Sequence, residues 1–512
     1  MDMQVQRQSV YEELEFLQEE NALLRAENAE LRRQLAERDA QIVELKAQIE
    51  KLNKMVFGKK SEKMPRPQKE IEKQDRIPAD PKVTQEKRTA RTQTRQQNAT
   101  QVQINHVLDE AKRRCPNCPD QELKFAGTKR TFITELVPVH FETQEHIQEA
   151  WACPCCDHIV SAEGPKRPTE GGQYGPGFMS HVVVSKCSDS IPFYRMAKQF
   201  CRIGIPISRS TLCDLFHQAA DILTPLHQYM HDLVAASPLV LADETPLPVL
   251  DKTLDKTRRG YIWTFLTDDV AYYRFSASRS GETPSEVLGN SQGTLLVDGY
   301  TGYNAVTTPE GRDRAGCWAH ARRKFFEALQ TAPKEAQYML DQILNLYRVE
   351  YDVVKRDIVG KPIHKQLRQK TSGPILDHIK TWAEEQRPQH LPTSPMGRAI
   401  TYMLNQWDPL RHYLTDAKIP IDNNLSERRL RLIALGRKNY LFAGNDAAAE
   451  NLALLQSMVV TCDMNGVNSE VWLKDVLIRI QTHPNKDIAD LLPHRWKDLF
   501  GSNIPNSFCE PS

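Results

Sequence analysis

PLVLADETPLPVL, residues 238–250, joins an apolar run to an acid and sets the reading of the fold. Its first part, PLVLADET, reads as a buried strand ending in acid at Asp243. GYIWTFLTD (260–268) and VAYYRFS (270–276) read as two further strands, and GTLLVDGY (293–300) as another apolar strand ending in acid, at Asp298. After AGCWAH (315–320) comes a helix, ARRKFFEALQ (321–330). Residues 326–415 then lack strand patterning and read as helices, as in EAQYMLDQILNLYRVEYDVV, so they form an inserted helical domain.

Beyond the insertion, IDNNLSERRLRLIALGRKNYLFAG (421–444) places Glu427 near the start of a basic helix. Strands delivering two acids at their ends, followed by a helix, are the pattern of a ribonuclease H-like α/β sheet. A helix laid across that sheet would bring Glu427 to Asp243 and Asp298. Hydrolysis of a phosphodiester and attack on a second one both use a metal pair about 3.5 to 4 Å apart, one ion activating the attacking oxygen and one stabilising the leaving oxygen. Hard oxygen ligands suit Mg2+ or Mn2+, two ions per site. Each acid also has a plainer reading. Asp243 ends a strand, Asp298 and Gly299 make a common turn pair, and Glu427 is the third-position glutamate of a capping box begun by Asn424.

At 512 residues the chain exceeds what one hydrophobic core organises, so several domains are expected. Lys and Arg number 67 against 66 Asp and Glu, so only the distribution of charge is informative. Residues 51–100 hold 14 Lys/Arg and 6 Asp/Glu, a balance of 14 − 6 = +8, which favours polyanions or marks a solvated linker. No apolar run approaches the roughly 18 residues that cross a bilayer, and MDMQVQRQ lacks the apolar core of a signal peptide, so a cytoplasmic protein without membrane contact is expected. Of 11 cysteines, five fall in two tight clusters, which suits metal better than disulfides.

Residues 11–57 carry a seven-residue apolar repeat, with Leu14, Leu35, Ile42, Ile49 and Val56 on one seam and Leu17, Leu24, Leu31, Leu45 and Leu52 on the other. That is the pattern of a coiled coil, and Asn21 and Asn28 on the first seam favour a parallel homodimer, where buried amides fix the register. The alternative is a long amphipathic helix packed on its own chain. Residues 58–104, rich in Lys, Arg, Gln, Thr and Pro, read as a flexible linker. CPNC (115–118) and CPCC (153–156) then flank the strand-like FITELVPVHFETQEHI. Paired CxxC knuckles at this spacing point to one tetrahedral, structural zinc held by Cys115, Cys118, Cys153 and Cys156, with Cys155 able to replace one of the last two. PFYRMAKQFCRI and SRSTLCDLFHQAADIL, joined by GIPI, look like a helix-turn-helix with Ser208 or Ser210 as cap and Arg209 placed to read a groove. Helix pairs of this kind also occur in proteins that never touch DNA.

The chain resembles, over nearly its whole length, transposases of the insertion sequence 66 family. FGKKSEK (57–63), the paired knuckles, ADETPLPVL (242–250), DGYTGYNAV (298–306), CWAHARRKFFEA (317–328) and IDNNLSERRLRLIALGRKNYLFAG carry the resemblance, with NGVNSEVWLKDVLIRI and LLPHRW resembling the family's C-terminal element. It implies a DDE-type enzyme with Asp243, Asp298 and Glu427 as first, second and third acid, a zinc-binding module, a DNA-binding helical region and a ribonuclease H-like catalytic domain. It further implies binding to terminal inverted repeats and target DNA, exposure of 3′ hydroxyls and direct transesterification, and suggests two small accessory proteins as partners. The separation of the last two acids, 427 − 298 = 129 residues, departs from simpler three-acid enzymes, and the helical insertion accounts for it within the family. His320, Arg322, Arg323 and Lys324, with Arg428, Arg429, Arg431, Arg437 and Lys438, surround the acids with positive charge suited to phosphates, or else form a solvated helix surface. The rival readings are an inactive DNA-binding regulator and a ribonuclease H-like nuclease that hydrolyses without joining. The expected organisation is a coiled coil (1–57), basic linker (58–104), zinc module (105–165), helical DNA-binding region (166–236), catalytic core in two parts (237–325 and 416–455) around the insertion (326–415), and a C-terminal element (456–512).

Overall fold

The computed structural model describes residues 164–501, apart from 252, 254 and 255, together with residues 25, 28–45, 146, 150–152 and 159–161. The four zinc-ligand candidates, Cys155 and most of the heptad seam therefore lie outside the described residues. The chain divides into two compact units. In the smaller one, β1 (Ala150–Ala152) pairs antiparallel with β2 (Ile159–Ser161), and the chain between them carries CPCC. In the larger one, residues 28–45 are helical, and Leu31, Leu35, Ile42 and Leu45 on the two seams are 48–60% exposed.

Helices α1 (Pro176–Cys187), α2 (Phe193–Arg202) and α3 (Arg209–Ala236) precede the sheet. Ser208 caps α3, its Oγ accepting from the Thr211 N–H at 3.0 Å, and Arg209 and Ser210 in the first turn are exposed. Further along α3, Leu212, Leu215, Phe216, Leu223 and Leu226 are core residues, so most of this helix is committed to packing. The strands follow: β3 (Leu239–Asp251), β4 (Lys256–Leu266), β5 (Ala271–Ser276), helix α4 (Glu282–Leu288), β6 (Gly293–Val297) and β7 (Arg312–Gly316). They form one sheet in the order β5-β4-β3-β6-β7, with β3, β4 and β5 antiparallel and β3, β6 and β7 parallel. Then come α5 (Trp318–Ala328), α6 (Pro333–Lys355), α7 (Pro362–Leu367), a π-helical turn (Arg368–Ser372), α8 (Gly373–Gln386), α9 (Pro395–Asn405) and α10 (Trp407–Arg411). The last helices are α11 (Asn424–Tyr440), α12 (Asp446–Met464), α13 (Ser469–Arg479) and α14 (Pro493–Leu499), with α12 continuous through residues 455 and 456.

Two sequence expectations change. Strand β3 does not end at Asp243 but continues to Asp251, paired with β4 from Leu241 onward. Pro246 and Pro248 argue against a strand in the sequence, yet they interrupt nothing. The carbonyls of Ala242, Pro246 and Pro248 bond to partners from α11 and beyond, on the edge away from β4, and there a missing proline N–H breaks no ladder. Strand β7, RDRAG, escapes a search for apolar alternation because it is a short, charged edge strand. Its Arg312 is buried nonetheless, donating to the carbonyls of Ala235 and Ser237 (2.8 and 2.9 Å) and to Ser291 Oγ (2.9 Å).

The insertion is closed by one buried cation. Arg368 donates to both carboxylate oxygens of Glu350 (2.8 and 2.7 Å) and to the carbonyls of Tyr413, Asp416 and Ile419 (2.9, 3.0 and 2.9 Å), just where the chain returns toward the sheet. Arg368→Met should leave three carbonyls without their donor and Glu350 with only His364 Nε2, at 3.3 Å, and destabilise the chain by about 3 to 5 kcal/mol. Urea unfolding checks this, and a midpoint unchanged from wild type would mean that the pair is dispensable.

Candidate active site

Register brings the first two acids together. The last aligned pair between parallel strands β3 and β6 is Leu241 with Leu296. Asp243 and Asp298 each lie two residues further on, 243 − 241 and 298 − 296, so by the period-2 alternation of strands they share a face of neighbouring strands. Asp298 stands in the turn that leaves β6, where its Oδ1 accepts from the Tyr300 N–H at 2.9 Å. Arg314 on β7 holds that turn through the carbonyls of Asp298 and Tyr300 (2.6 and 2.7 Å), and the Tyr402 hydroxyl accepts from the Gly299 N–H at 3.2 Å. Glycine is required at 299, because a Cβ there would stand 2.6 Å from the Tyr402 ring.

The third acid arrives on α11. Asn423, buried at the cap, donates through Nδ2 to the Ala242 carbonyl at 2.7 Å, one residue before Asp243. Its Oδ1 accepts from Ser426 Oγ at 2.6 Å, and its backbone N–H reaches Cys317 Sγ at 3.2 Å. Glu427 follows directly. Its side chain does not close a capping box with Asn424. It lies instead against α5, with Oε2 3.4 Å from Arg323 Nη2 and Oε1 3.7 Å from His320 Nε2.

The neighbouring Glu244 faces other partners. It accepts from Arg279 Nε at 2.7 Å and from the Tyr303 hydroxyl at 2.8 Å, and Arg279 lies over the Tyr300 ring at 4.1 Å. Burial raises the Glu244 carboxyl, while Tyr303 and Arg279 pull it back. Asp243 is pushed up to about 8 by burial, with Glu244, Glu427 and Asp298 adding to the rise. His320 is lowered by burial, although Asp298 and Glu427 oppose that. Glu427 Oε1 and His320 Nδ1 are buried without a hydrogen-bond partner. Clustered carboxylates with an orphaned oxygen and an acid held neutral are what a bound cation would relieve, and an all-oxygen donor set fits a hard divalent ion. Among the described residues, no three His, Cys, Asp or Glu side chains converge tightly enough to enclose an ion as they stand.

The cationic candidates divide. His320 and Arg323 border Glu427. Arg437 is turned into the fold, donating to Thr245 Oγ1 at 3.1 Å and to the Pro246 carbonyl, and Arg429 pairs with Asp463. Arg322 is half-buried beside Phe326, with its guanidinium 5.9 Å from the ring centroid. Arg428, Arg431 and Lys438 are exposed along α11, and Arg209 is exposed on α3. Sequence reasoning missed Asn423, Arg314, Tyr402 and Tyr303, which position the acids without being acids. Only IDNN, where two adjacent asparagines precede a helix, signals one of them.

A family model described as "Transposase IS66 family" matches residues 171–451, more than half of the chain. The chain belongs to the IS66 transposase family. Three further models of such proteins match it: "IS66 C-terminal element" at 457–494, "zinc-finger binding domain of transposase IS66" at 112–157 and "Transposase C of IS166 homeodomain" at 44–103. Uncharacterized protein y4hP of Sinorhizobium fredii is 30% identical over 427 residues, covering 79% of this chain and 77% of its own length. Uncharacterized protein y4jD of the same organism is 30% identical over 410 residues, covering 76% and 80%. The zinc-finger match of the IS66 family spans all five clustered cysteines, and among the described residues no helix is long and apolar enough to cross a membrane.

The raised Asp243 carboxyl has a measurable sign. Its folded value, about 8, exceeds that of an unfolded aspartate, so the metal-free native chain holds a proton that the unfolded chain releases. This contribution to stability is complete below about pH 4 and is lost as pH rises toward 8, at up to about 1.4 kcal/mol per pH unit. Asp243→Asn should remove that slope, read by urea unfolding between pH 5 and pH 8 in a chelator. Parallel pH profiles for mutant and wild type would show that Asp243 is ionised throughout.

Proposed function

We propose that this transposase cuts DNA at the ends of its element to expose 3′ hydroxyls and joins them to target DNA by direct transesterification. The observation that supports the reading is the register of β3 and β6, which sets Asp243 and Asp298 at matching positions of neighbouring strands, together with the Asn423 bond to Ala242 that ties the start of α11, and Glu427 with it, to β3. The sheet supports a ribonuclease H-like core, since its order β5-β4-β3-β6-β7, with three antiparallel strands and then parallel ones, is the order of that fold. Asp243, Asp298 and Glu427 would hold two divalent ions, Mg2+ or Mn2+. Such a pair activates the attacking oxygen and stabilises the leaving one. Around it, Arg314 and Tyr402 fix the Asp298 turn, the Glu244–Tyr303 bond fixes the strand beside Asp243, and His320 and Arg323, which border Glu427, would face the phosphates of bound DNA.

The remaining parts supply binding and assembly. Cys115, Cys118, Cys153 and Cys156 would hold a structural zinc, and Arg209, Arg322, Arg428, Arg431 and Lys438 would contact terminal repeats or target. The exposed Leu31, Leu35, Ile42 and Leu45 support a coiled-coil dimer, because such a seam requires cover from a second chain. A cytoplasmic location and small accessory proteins of the same element complete the proposal.

Asp243→Asn, Asp298→Asn and Glu427→Gln remove charge while keeping shape. Each should leave folding and binding to element ends nearly intact and lower magnesium-dependent strand transfer by several orders of magnitude, with little further loss in double mutants. Near-normal joining by all three single mutants would mean that the acids are strand-end and cap residues and that the chain acts by binding alone. For the knuckles, Cys115→Ser with Cys118→Ser should abolish bound zinc and loosen residues 106–165 without removing catalytic metal. Elemental analysis of purified wild type is the check, and the absence of zinc there would refute the ligand set.

A further inference from the structure

Helix α11 ends in a turn that is both strained and apolar. Leu441 has φ 68° and ψ −48°, and the Phe442 N–H donates to the Tyr440 carbonyl at 2.8 Å. This is a three-residue turn of the hand that branched residues avoid. Leu441 is 63% exposed and Phe442 40% exposed. A glycine at 441 would relieve the strain and a polar residue at 442 would suit the solvent, so folding alone asks for neither side chain.

The turn is anchored on both sides. Before it, the Leu441 N–H donates to the Arg437 carbonyl at 2.9 Å. The Tyr440 ring lies over Gly436, where a Cβ would stand 2.6 Å away, and under the Lys186 ammonium, 3.6 Å from the ring centroid. After it, the Ala443 N–H donates to the Pro248 carbonyl at 2.9 Å and its carbonyl accepts from the Leu250 N–H at 2.8 Å. Two large apolar side chains are thus presented on a rigid mount.

Charge names the occupant. Arg428, Arg431, Leu435 and Lys438 are all exposed, and their spacing of three, four and three residues puts them on one face of α11, a track of about 15 Å leading to the turn. A basic track ending in an aromatic and an aliphatic side chain matches a polyanion whose units carry flat apolar faces. We infer that Leu441 and Phe442 form a stacking platform for an unpaired base of the DNA whose phosphates lie along Arg428, Arg431 and Lys438. Ala443 bridges to Val249, six residues along β3 from Asp243, which puts the platform about 20 Å from that acid, on DNA flanking the reacting phosphate. The inference rests on the DNA-binding part of the proposed function.

The test uses the full zinc-loaded chain, a single strand of about 30 nucleotides containing 2-aminopurine, longer than a usual footprint, and the matching duplex. Fluorescence anisotropy at several salt concentrations gives affinity, and 2-aminopurine quenching reports stacking. Phe442→Ala should weaken single-strand binding about tenfold and relieve quenching, with duplex affinity little changed, whereas Phe442→Trp should retain both signals. Leu441→Gly, which relieves backbone strain and so stays folded, should weaken single-strand binding several-fold. Arg431→Ala with Lys438→Ala should weaken both probes and flatten the salt dependence by about two, one for each lost phosphate contact. The inference fails if Phe442→Ala and Leu441→Gly leave single-strand affinity and quenching intact, or weaken both probes equally. It also fails if these variants change only the mass seen by light scattering, which would make the turn an interface between copies. Wild type that binds neither probe would overturn the DNA-binding reading together with this one.

Discussion

Burying an amide requires that its donors and acceptors be matched, and Asn423 meets that requirement across 181 positions of sequence by donating to the carbonyl of Ala242. The same residue accepts from Ser426 and is tied by its backbone to Cys317, so strand β3, the start of α5 and the start of α11 meet at one residue that is 1% exposed. Removing one partner of such a bond costs about 1 to 3 kcal/mol. The Trp318 N–H, bonded to the Ile421 carbonyl at 3.2 Å, repeats the tie one residue further on from Cys317. The placement of Glu427 relative to β3 depends on this junction, because strand register relates only Asp243 and Asp298.

The outer edges of the sheet are managed by the segments that follow it. On β5, the N–H groups of Ala271 and Tyr273 donate to Thr461 Oγ1 and Ser457 Oγ of α12, at 3.0 and 2.8 Å. Hydroxyls four residues apart on a helix match alternate residues of a strand, so α12 satisfies an edge that would otherwise recruit another strand. At the other edge, the Leu410 carbonyl of α10 accepts from Trp318 Nε1 at 2.8 Å, and Gly316 of β7 allows the backbone of Leu410 to come close. The insertion and the segment carrying the C-terminal element therefore close opposite edges of one sheet. This explains how the sheet tolerates the long helical segment between β7 and α11.

Four of the five large-sheet strands were legible as apolar runs, since burial on both faces leaves that signature. β7 was not, because its charged side chains serve the fold as hydrogen-bond donors rather than as apolar filling. The two aspartates were legible as acids closing such runs, but their relation was not, since it rests on the Leu241–Leu296 register. Glu427 was visible only through its long motif. Asn423 was passed over for Asn424 because local cap patterns cannot tell which of two asparagines faces a strand nearly two hundred residues away. Arg314 and Tyr402 carried no signal at all, as their role is to bond a turn that the sequence presents as a common Asp-Gly pair.

Helix α11 resolves the question of what its basic residues are for by assigning them to different faces. Its buried and half-buried side answers to the fold, with Leu430 and Ile433 in the core, Arg429 on Asp463 and Arg437 on β3. Its exposed side carries Arg428, Arg431 and Lys438. Glu427 in the first turn and Arg437 and Lys438 in the last also complement the helix dipole, so the polarity that stabilises the helix places acid at the sheet and base at the far end. A single helix thus carries the third acid at its start and a positively charged surface along its length. Because Asn423 fixes where the helix begins, it fixes the position of both.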